Sequence, residues 1–287
     1  MVYLLSRAYA GGTRLVFQCI RRCDPRYVGS GTKGEILVGS LRDFSDEINI
    51  HPSYSARAHR SVFRIHLPVA PDCSAECAFC TRGSGSNTIA APGVTQRVLN
   101  PRDATVTLTK IVSRLSAPVV VVGTAGPGDA LASDHAVVVF ESIPEMVDSH
   151  GPRVLKCIST NGLELERRAV ELSRAGVSFI TVSMHSVNAS TIERLVPRVL
   201  LHGEWRGGVS AARELVERQL RGIKKASNLG MLVKVNMVLV KDVDLGEVTE
   251  LASAVKEAGA VLLNPIPIIP SQGSSLLPPT TLELEQA

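Results

Sequence analysis

The sequence has little net charge and no long apolar run, and each of these two shortages excludes a class of protein. Its 31 basic and 27 acidic residues leave a formal charge of +4 dispersed over 287 residues, so no electrostatic footprint for nucleic acid is evident. The longest apolar stretches, such as residues 117–123, are strand-sized and fall short of the roughly 18 residues that a membrane span needs. We therefore expect neither a nucleic-acid partner nor a membrane span.

The first 27 residues are basic, with five arginines and one acidic residue. Their composition resembles an organelle transit peptide, but a loosely ordered basic arm, or a start codon placed too early, explains it more simply. Cys19 and Cys23 lie in this arm as a C-x3-C pair without a third or fourth thiol nearby, so their metal-ligand set is incomplete. We assign residues 1–50 to an N-terminal extension.

From residue 61 onward, short runs rich in Val, Ile and Leu alternate with segments of helical periodicity. Such runs are typical of strands buried on both faces of a sheet. Six of them occur, at 62–67, 118–123, 153–159, 177–183, 231–240 and 260–268. The clearest helix, 245–258, ends at Gly259 and has five apolar residues on one face: Leu245, Val248, Leu251, Ala252 and Val255. The alternation predicts an α/β fold with parallel strands, either a barrel or a doubly wound sheet.

Polar or glycine-rich turns follow the first four of these runs. Three cysteines follow the first run, and the next three are followed by Ala-Gly-Pro-Gly-Asp-Ala-Leu (125–131), Ser-Thr-Asn-Gly (159–162) and Met-His-Ser-Val-Asn-Ala-Ser (184–190). Each motif alone also suits an ordinary turn or helix cap. Four such motifs after four successive predicted strands favour a shared site, because the carboxyl ends of parallel strands meet at one edge of the sheet.

The cysteines of the first turn, Cys73, Cys77 and Cys80, are spaced C-x3-C-x2-C. A structural zinc ion normally takes four protein ligands, and no second cysteine pair follows at a suitable distance. A disulfide would leave one thiol over. Three thiolates on one loop suit a [4Fe–4S] cluster whose fourth iron stays open to another ligand.

With Phe79 directly before the last cysteine, this motif resembles the signature of the radical S-adenosylmethionine (SAM) enzymes. The resemblance implies a partial (β/α)6 barrel in which the open iron chelates SAM. It also implies that an electron from the cluster cleaves SAM to methionine and a 5′-deoxyadenosyl radical, which takes hydrogen from a substrate. The backbone from Gly126 to Gly128 is then expected to approach the methionine end of SAM, which only residues without side chains permit.

The same resemblance implies a set of SAM-binding residues, whereas it leaves the catalytic residue unassigned. These residues are Phe79, Gly126, Pro127, Gly128, Asp129, Ser159, Asn161, Ser183 and Asn236. Asn236 is equally well explained as a satisfied polar residue inside a barrel.

Longer stretches resemble the NifB-like branch of this family, which builds an iron–sulfur precursor of the nitrogenase cofactor. They lie, in this order, at 51–82, 92–104, 121–132, 157–163 and 219–240. The run His-Leu-Pro-Val-Ala-Pro before Cys73 and the run Ala-Gly-Pro-Gly-Asp are more particular to that branch than the cysteine motif. We therefore expect a radical SAM core at 51–270 and a C-terminal tail at 271–287.

The sequence departs from that branch at positions that bind two further [4Fe–4S] units. Ser53 and Ser86 stand where the family has cysteines, Ile89 stands where it has a glutamate, and no closing C-x2-C pair occurs. A serine hydroxyl is a poor iron ligand beside a thiolate. Two candidate auxiliary-cluster ligands remain, His51 and His66.

The remaining ligand set supports one cluster, or about four irons per chain. Cys19, Cys23 and Cys157 could add thiolates in principle. Cys157, however, lies beside Ile158 inside a predicted strand and is interpreted as a small core residue.

Three functions follow from this resemblance. The first is a lyase-type radical SAM enzyme of nitrogenase-type iron–sulfur cofactor synthesis. The second is a paralogue acting on a small molecule, a tetrapyrrole or a peptide, and the third is a non-catalytic iron–sulfur carrier, which would not need all the SAM loops. We expect a ferredoxin- or flavodoxin-type electron donor and iron–sulfur assembly partners. Cysteines bunched as ligands, without a secretory segment, indicate a reducing cytoplasm, and an exposed cluster indicates an anaerobic habitat.

Overall fold

The computed structural model describes residues 45–55, 58, 61–80, 98–124, 126–143, 151–241, 246–268 and 275–280, and only short strands before residue 45. Ser86, Ile89 and Cys23 lie outside the described residues.

The strands and helices of the described residues alternate along most of the chain. The strands are β1 (Val2–Leu5), β2 (Ala8–Ala10), β3 (Thr13–Leu15), β4 (Gln18–Arg22), β5 (Ile36–Leu37), β6 (Phe63–Leu67), β7 (Ala75–Glu76), β8 (Val119–Thr124), β9 (Arg153–Thr160), β10 (Val177–Ser183), β11 (Arg198–Leu201), β12 (Glu204–Gly207), β13 (Leu232–Leu239) and β14 (Leu262–Pro267). The helices are α1 (Ser45–Ile50), α2 (Pro101–Val112), α3 (His135–Ser142), α4 (Leu165–Arg174), α5 (Ala189–Leu195), α6 (Gly208–Asn228) and α7 (Gly246–Glu257).

Six parallel strands form the centre of the main sheet in the order β6-β8-β9-β10-β13-β14, which is also their order in the chain. A doubly wound sheet would reverse direction at a switch point, whereas consecutive neighbours are the arrangement of a (β/α) barrel. The strands at the two edges pair with β4 and β5, not with each other. The predicted α/β fold and all six predicted strands are therefore confirmed, and the barrel is a partial one.

The strands are apolar on both faces because each face meets a different core. Residues such as Ile65, Val122 and Ile158 pack with the helices in the larger cluster. Alternate strand residues, such as Leu155 and Phe179, form a second cluster that contains Ile48 of α1. The side-chain alternation of a strand thus supplies both cores, and Ile48 of α1 packs in the second one.

Helix α7 confirms the helix predicted from apolar periodicity at 245–258. Val248, Leu251 and Val255 are buried, and Gly259 follows the helix with φ +96°, a conformation that favours glycine. Leu245 lies outside the described residues.

The N-terminal extension contains strands where a loosely ordered arm was expected. β1 and β4 pair antiparallel, and β4 meets β6 at Cys19 and Ile65. β5 pairs antiparallel with β14 at the opposite edge. The extension therefore contributes a strand to each edge of the parallel sheet. Within the described part of the chain, no helix combines the length and the apolar character that crossing a membrane requires.

Candidate functional site

The three predicted cluster ligands lie on one loop, residues 68–80, directly after β6. Cys73 and Cys77 are half-buried and Cys80 is exposed. The backbone N–H of Cys80 donates to the carbonyl of Cys77 at 3.0 Å, which closes a tight turn around Phe79. The loop therefore presents its thiols at the carboxyl end of a parallel strand, where the sequence predicted them.

This cysteine loop is held by a hairpin that is distant in the sequence. Strand β7 of the loop pairs antiparallel with β11, with Ala75 opposite Val199 and Glu76 opposite Arg198. The N–H of Leu200 also donates to the carbonyl of Ser74 at 2.8 Å. The loop consequently contributes its short strand β7 to a separate three-stranded sheet, in the order β12-β11-β7.

The donor chemistry of this loop fits an iron–sulfur cluster. Three cysteine sulfurs on one loop are the soft ligands that such clusters use. Across the residues that the structure describes, no three His, Cys, Asp or Glu side chains are gathered closely enough to hold a metal ion. The convergence of the three thiols on one centre therefore stays a prediction.

Gly128, in the loop after β8, lies against the cysteine loop. Its N–H donates to the carbonyl of Ala70 at 2.7 Å, and the N–H of Asp129 donates to that of Asp72 at 2.6 Å. A Cβ atom on Gly128 would stand 1.9 Å from the carbonyl oxygen of Asp72. The sequence assigned this glycine to a close approach of SAM, and the structure gives it a further reason, the close approach of two loops.

Asp129 joins the loops that follow β8 and β9. It is buried, and its carboxylate accepts hydrogen bonds from the N–H of Leu131 at 2.9 Å, the hydroxyl of Thr160 at 3.0 Å and the N–H of Asn161. The two loops between which the sequence placed SAM are therefore fastened together. A direct contact between Asp129 and SAM stays a prediction.

Asn161 links the loop after β9 to the cysteine loop. Its Nδ2 lies 3.1 Å from Oγ of Ser74 and 3.9 Å from Sγ of Cys73. The backbone of Asn161 is fixed in turn by Gln219 of α6, whose Nε2 donates to the carbonyls of Asn161 at 2.6 Å and Ser183 at 3.0 Å. Gln219 is not among the residues predicted from the sequence, although it begins the stretch 219–240 that resembles the NifB-like branch.

The other polar residues predicted to bind SAM lie on three neighbouring strands. Ser159 is near the end of β9 and Ser183 ends β10, where it stands opposite Asn236 of β13. All three are half-buried. The Oδ1 of Asn236 accepts a hydrogen bond from Asn264 at 3.1 Å, so the interpretation of Asn236 as a satisfied polar residue is supported.

Of the two candidate auxiliary ligands, His51 is buried and His66 is half-buried. Burial, with the nearby charges of Arg64 and Lys234, lowers the pKa of His51 to about 2. Burial and then Arg64 lower the pKa of His66 well below its ordinary value. Nε2 of His51 and both ring nitrogens of His66 are buried without a hydrogen-bond partner in the described structure. A role for either histidine as a ligand stays a prediction.

Ser53 has a hydrogen-bonding role of its own. Its hydroxyl accepts a hydrogen bond from the guanidinium of Arg64, and its carbonyl accepts one from Nζ of Lys234 at 2.9 Å. Ser53 thus lies between two cationic side chains. Cys157 is 1% exposed within the second apolar cluster, which confirms its interpretation as a core residue, and burial raises the pKa of its thiol.

Comparison with known families gives a match over more than half of the chain. The family described as "Radical SAM superfamily" matches residues 67–255. That range begins at the last residue of β6 and ends within α7, so it contains the cysteine loop and the loops after β8, β9 and β10.

Several curated proteins named "FeMo cofactor biosynthesis protein NifB" are similar to this chain. The protein of Methanocaldococcus jannaschii is 34% identical over 248 residues, which are 86% of this chain and 81% of that protein. That of Methanocaldococcus infernus is 35% identical, with 86% and 80% covered. The Klebsiella pneumoniae protein is 32% identical over 78% of this chain but only 47% of its own length.

Solved structures at low identity share the fold. "Native anSMEcpe with bound AdoMet" has a TM-score of 0.52 at 12% identity, covering 71% of this chain and 51% of that one. Methylornithine synthase (PylB) has a TM-score of 0.52 at 11% identity, covering 82% and 60%.

Proposed function

This chain belongs to the radical SAM superfamily as a NifB-like member, and from that premise we propose that it is an enzyme of iron–sulfur cofactor assembly. As a member of the superfamily it is a radical SAM enzyme that binds a [4Fe–4S] cluster and SAM and needs an electron donor. The observation that carries the proposal is the similarity to NifB proteins over most of both chains.

Cys73, Cys77 and Cys80 would hold the cluster. When bound, the cluster supplies the electron that splits the sulfonium of SAM into methionine and a 5′-deoxyadenosyl radical. Nδ2 of Asn161 lies 3.9 Å from Sγ of Cys73 and would be a hydrogen-bond donor to that ligand. The pairing of β7 with β11 fixes the backbone of the same loop, so the ligands are preorganised on two sides.

SAM would lie at the edge of the barrel, between the loops after β8 and β9. The hydrogen bonds of Asp129 to Thr160 and Asn161 support this placement, because they keep the two loops at a fixed separation. The residues that would surround SAM are Phe79, Gly126, Pro127, Gly128, Asp129, Ser159, Asn161, Ser183 and Asn236.

A second candidate function, a radical SAM reaction on a different substrate, is favoured by Ser53. The family has a cysteine ligand there, whereas here the side chain accepts a hydrogen bond from Arg64. A hydroxyl engaged with a guanidinium does not replace an iron-binding thiolate. The third function, a non-catalytic carrier, receives no support from any described residue.

The two enzymatic functions differ in whether iron–sulfur clusters are a substrate. The test is to reconstitute the protein anaerobically and measure 5′-deoxyadenosine formation with a scaffold protein that carries [4Fe–4S] clusters, and with the same scaffold in its apo form. Cofactor assembly predicts faster formation with the loaded scaffold only. Equal rates with both scaffolds would favour the second function, and no SAM cleavage at all would exclude both.

A further inference from the structure

His185, in the loop after β10, is a buried histidine to which the proposed function gives no role. It is 4% exposed, and its Nδ1 accepts a hydrogen bond from the backbone N–H of Val238 at 3.1 Å. That acceptor role requires the tautomer with its proton on Nε2. Burial lowers the pKa of His185 to about 4, so the ring is neutral at neutral pH. His185 thus binds the loop after β10 to β13.

The ring of His185 also contacts the cysteine loop. It meets the ring of Phe79 edge to face, with a centroid separation of 5.1 Å and an interplanar angle of 89°. This arrangement is the favourable one for two aromatic rings, because a positive edge meets a negative face. Phe79 lies between Cys77 and Cys80, inside the turn that those two residues close. Phe79 is therefore in contact with a side chain from the loop after β10.

The loop that carries His185 is itself firmly anchored. Glu247 of α7 is 9% exposed, and its carboxylate accepts hydrogen bonds from the hydroxyls of Ser186 and Thr191, the second at 2.7 Å. Ser186 also accepts from the N–H of Asn188 at 2.8 Å. A buried carboxylate satisfied by two hydroxyls holds both ends of the short segment in place. His185 is consequently a rigid support for Phe79.

We propose that His185 is a positioning residue that fixes Phe79 and the Cys77–Cys80 turn, and thereby sets the affinity of the loaded site for SAM. The inference rests on the proposed placement of SAM beside this loop. His185 acts through Phe79, so it is not a catalytic residue. The contact with Phe79 and the hydrogen bond to Val238 can be separated by substitution. The contact needs an aromatic ring, whereas the hydrogen bond needs an acceptor at the position of Nδ1.

The test measures SAM affinity by calorimetry on reconstituted protein. His185→Asn keeps an acceptor near Val238 but removes the ring, and we expect the Kd to rise about tenfold, the upper end of what an aromatic pair contributes. Phe79→Ala should raise it by at least as much, because it also removes a residue predicted to surround SAM. The double variant should bind SAM no more weakly than Phe79→Ala alone, because the contact with His185 is already lost in that variant. The electron paramagnetic resonance signal of the reduced cluster should respond to SAM more weakly in all three.

His185→Phe separates positioning from folding. It keeps an aromatic ring against Phe79 but leaves the N–H of Val238 without its acceptor. We expect a lower unfolding temperature and a SAM affinity within about threefold of wild type. His202→Asn is the matched control, because His202 has a largely exposed side chain and a φ of 52° that asparagine tolerates. Its SAM affinity should equal that of wild type.

The inference and the proposed function fail in different ways. If wild-type protein binds four irons per chain but no SAM, the proposed function is wrong and the inference falls with it. If wild type binds SAM and His185→Asn binds it equally well, only the inference is wrong. A double variant that binds SAM about tenfold more weakly than Phe79→Ala alone would show that the two residues act independently, and would also overturn it. Iron content measured on each variant shows that the cluster site is intact.

Discussion

The side-chain amide of Asn161 lies 3.9 Å from the sulfur of Cys73, across a gap between two loops that are far apart in the sequence. Hydrogen bonds to cluster sulfurs raise the reduction potential of an iron–sulfur centre. Asn161 would therefore lie beside the cluster proposed at Cys73 as well as in the region proposed for SAM.

Asn161→Ala should lower the reduction potential of the cluster and slow 5′-deoxyadenosine formation by roughly tenfold or more, the usual cost of removing a group that supports a metal ligand. A redox titration followed by electron paramagnetic resonance measures the first effect. Asn100→Ala is the matched control, because Asn100 caps α2 by accepting a hydrogen bond from Asp103. It should cost about 1 kcal/mol of stability and leave the potential unchanged. Equal potentials in both variants and wild type would contradict this role of Asn161.

Replacing any one of Cys73, Cys77 and Cys80 by alanine should abolish the brown colour of reconstituted protein, because two thiolates rarely retain a cubane cluster. Cys157→Ala is the matched control and should keep the full visible spectrum, because Cys157 lies in the second apolar cluster. The visible absorption of the cluster and the iron content are measured for the loop variants and for the control. A spectrum unchanged by loss of one loop cysteine would contradict the assignment.

Gly128→Ala should destabilise the fold by about 3 kcal/mol and displace the cysteine loop, because the new Cβ would meet the backbone of Asp72. Chemical denaturation and iron content after reconstitution check the two effects. Gly203→Ala has open space around the new atom but a φ of +84°, so it should cost only about 1 kcal/mol and leave iron binding intact. Equal iron contents of Gly128→Ala and Gly203→Ala after reconstitution would contradict this packing role of Gly128.

Acidification below neutral pH should reduce the free energy of unfolding. His51 and His185 have folded pKa values of about 2 and about 4, both below the unfolded value of 6.5. The unfolded chain then binds more protons than the folded one, so stability is fully present above pH 6.5 and is lost as pH falls. The His185 contribution is lost between pH 6.5 and 4, and that of His51 continues toward pH 2.

Urea denaturation at several pH values between 5 and 7.5 measures this slope. His51→Asn should flatten it, because the buried His51 has a lowered pKa. Stability that is independent of pH over this range would contradict the neutral state of the buried histidines.

Reconstituted protein should contain about four irons per chain, because only one three-cysteine loop is present. Ser53 supports an iron content of four per chain, because it stands where the family has a cysteine ligand. Its hydroxyl accepts a hydrogen bond from Arg64 instead. Iron and sulfide analysis with Mössbauer spectroscopy provides the measurement. About twelve irons per chain, with signals of several coupled clusters, would contradict this prediction. It would show that the chain binds the additional clusters of the family despite the missing cysteines.

The sequence was sufficient for the six parallel strands and for the order of their loops, because buried strands and helices have distinct apolar periodicities. It could not identify Gln219 or His185, because both act through hydrogen bonds or ring contacts with residues that are distant in the sequence. The N-terminal strands were missed for a related reason. They contain two to five residues each, too few for a periodicity, and β4 and β5 pair with strands of the core.

The pairing of β7 with β11 also sets an order of events during synthesis. The cysteines leave the ribosome early, but the strand that holds their loop follows only after β8, β9 and β10 have been made. Contacts between distant segments form late, because a long loop must first close. Iron delivered to the nascent chain would meet three untethered thiols. Cluster insertion should therefore be a post-translational step that acts on a nearly complete barrel.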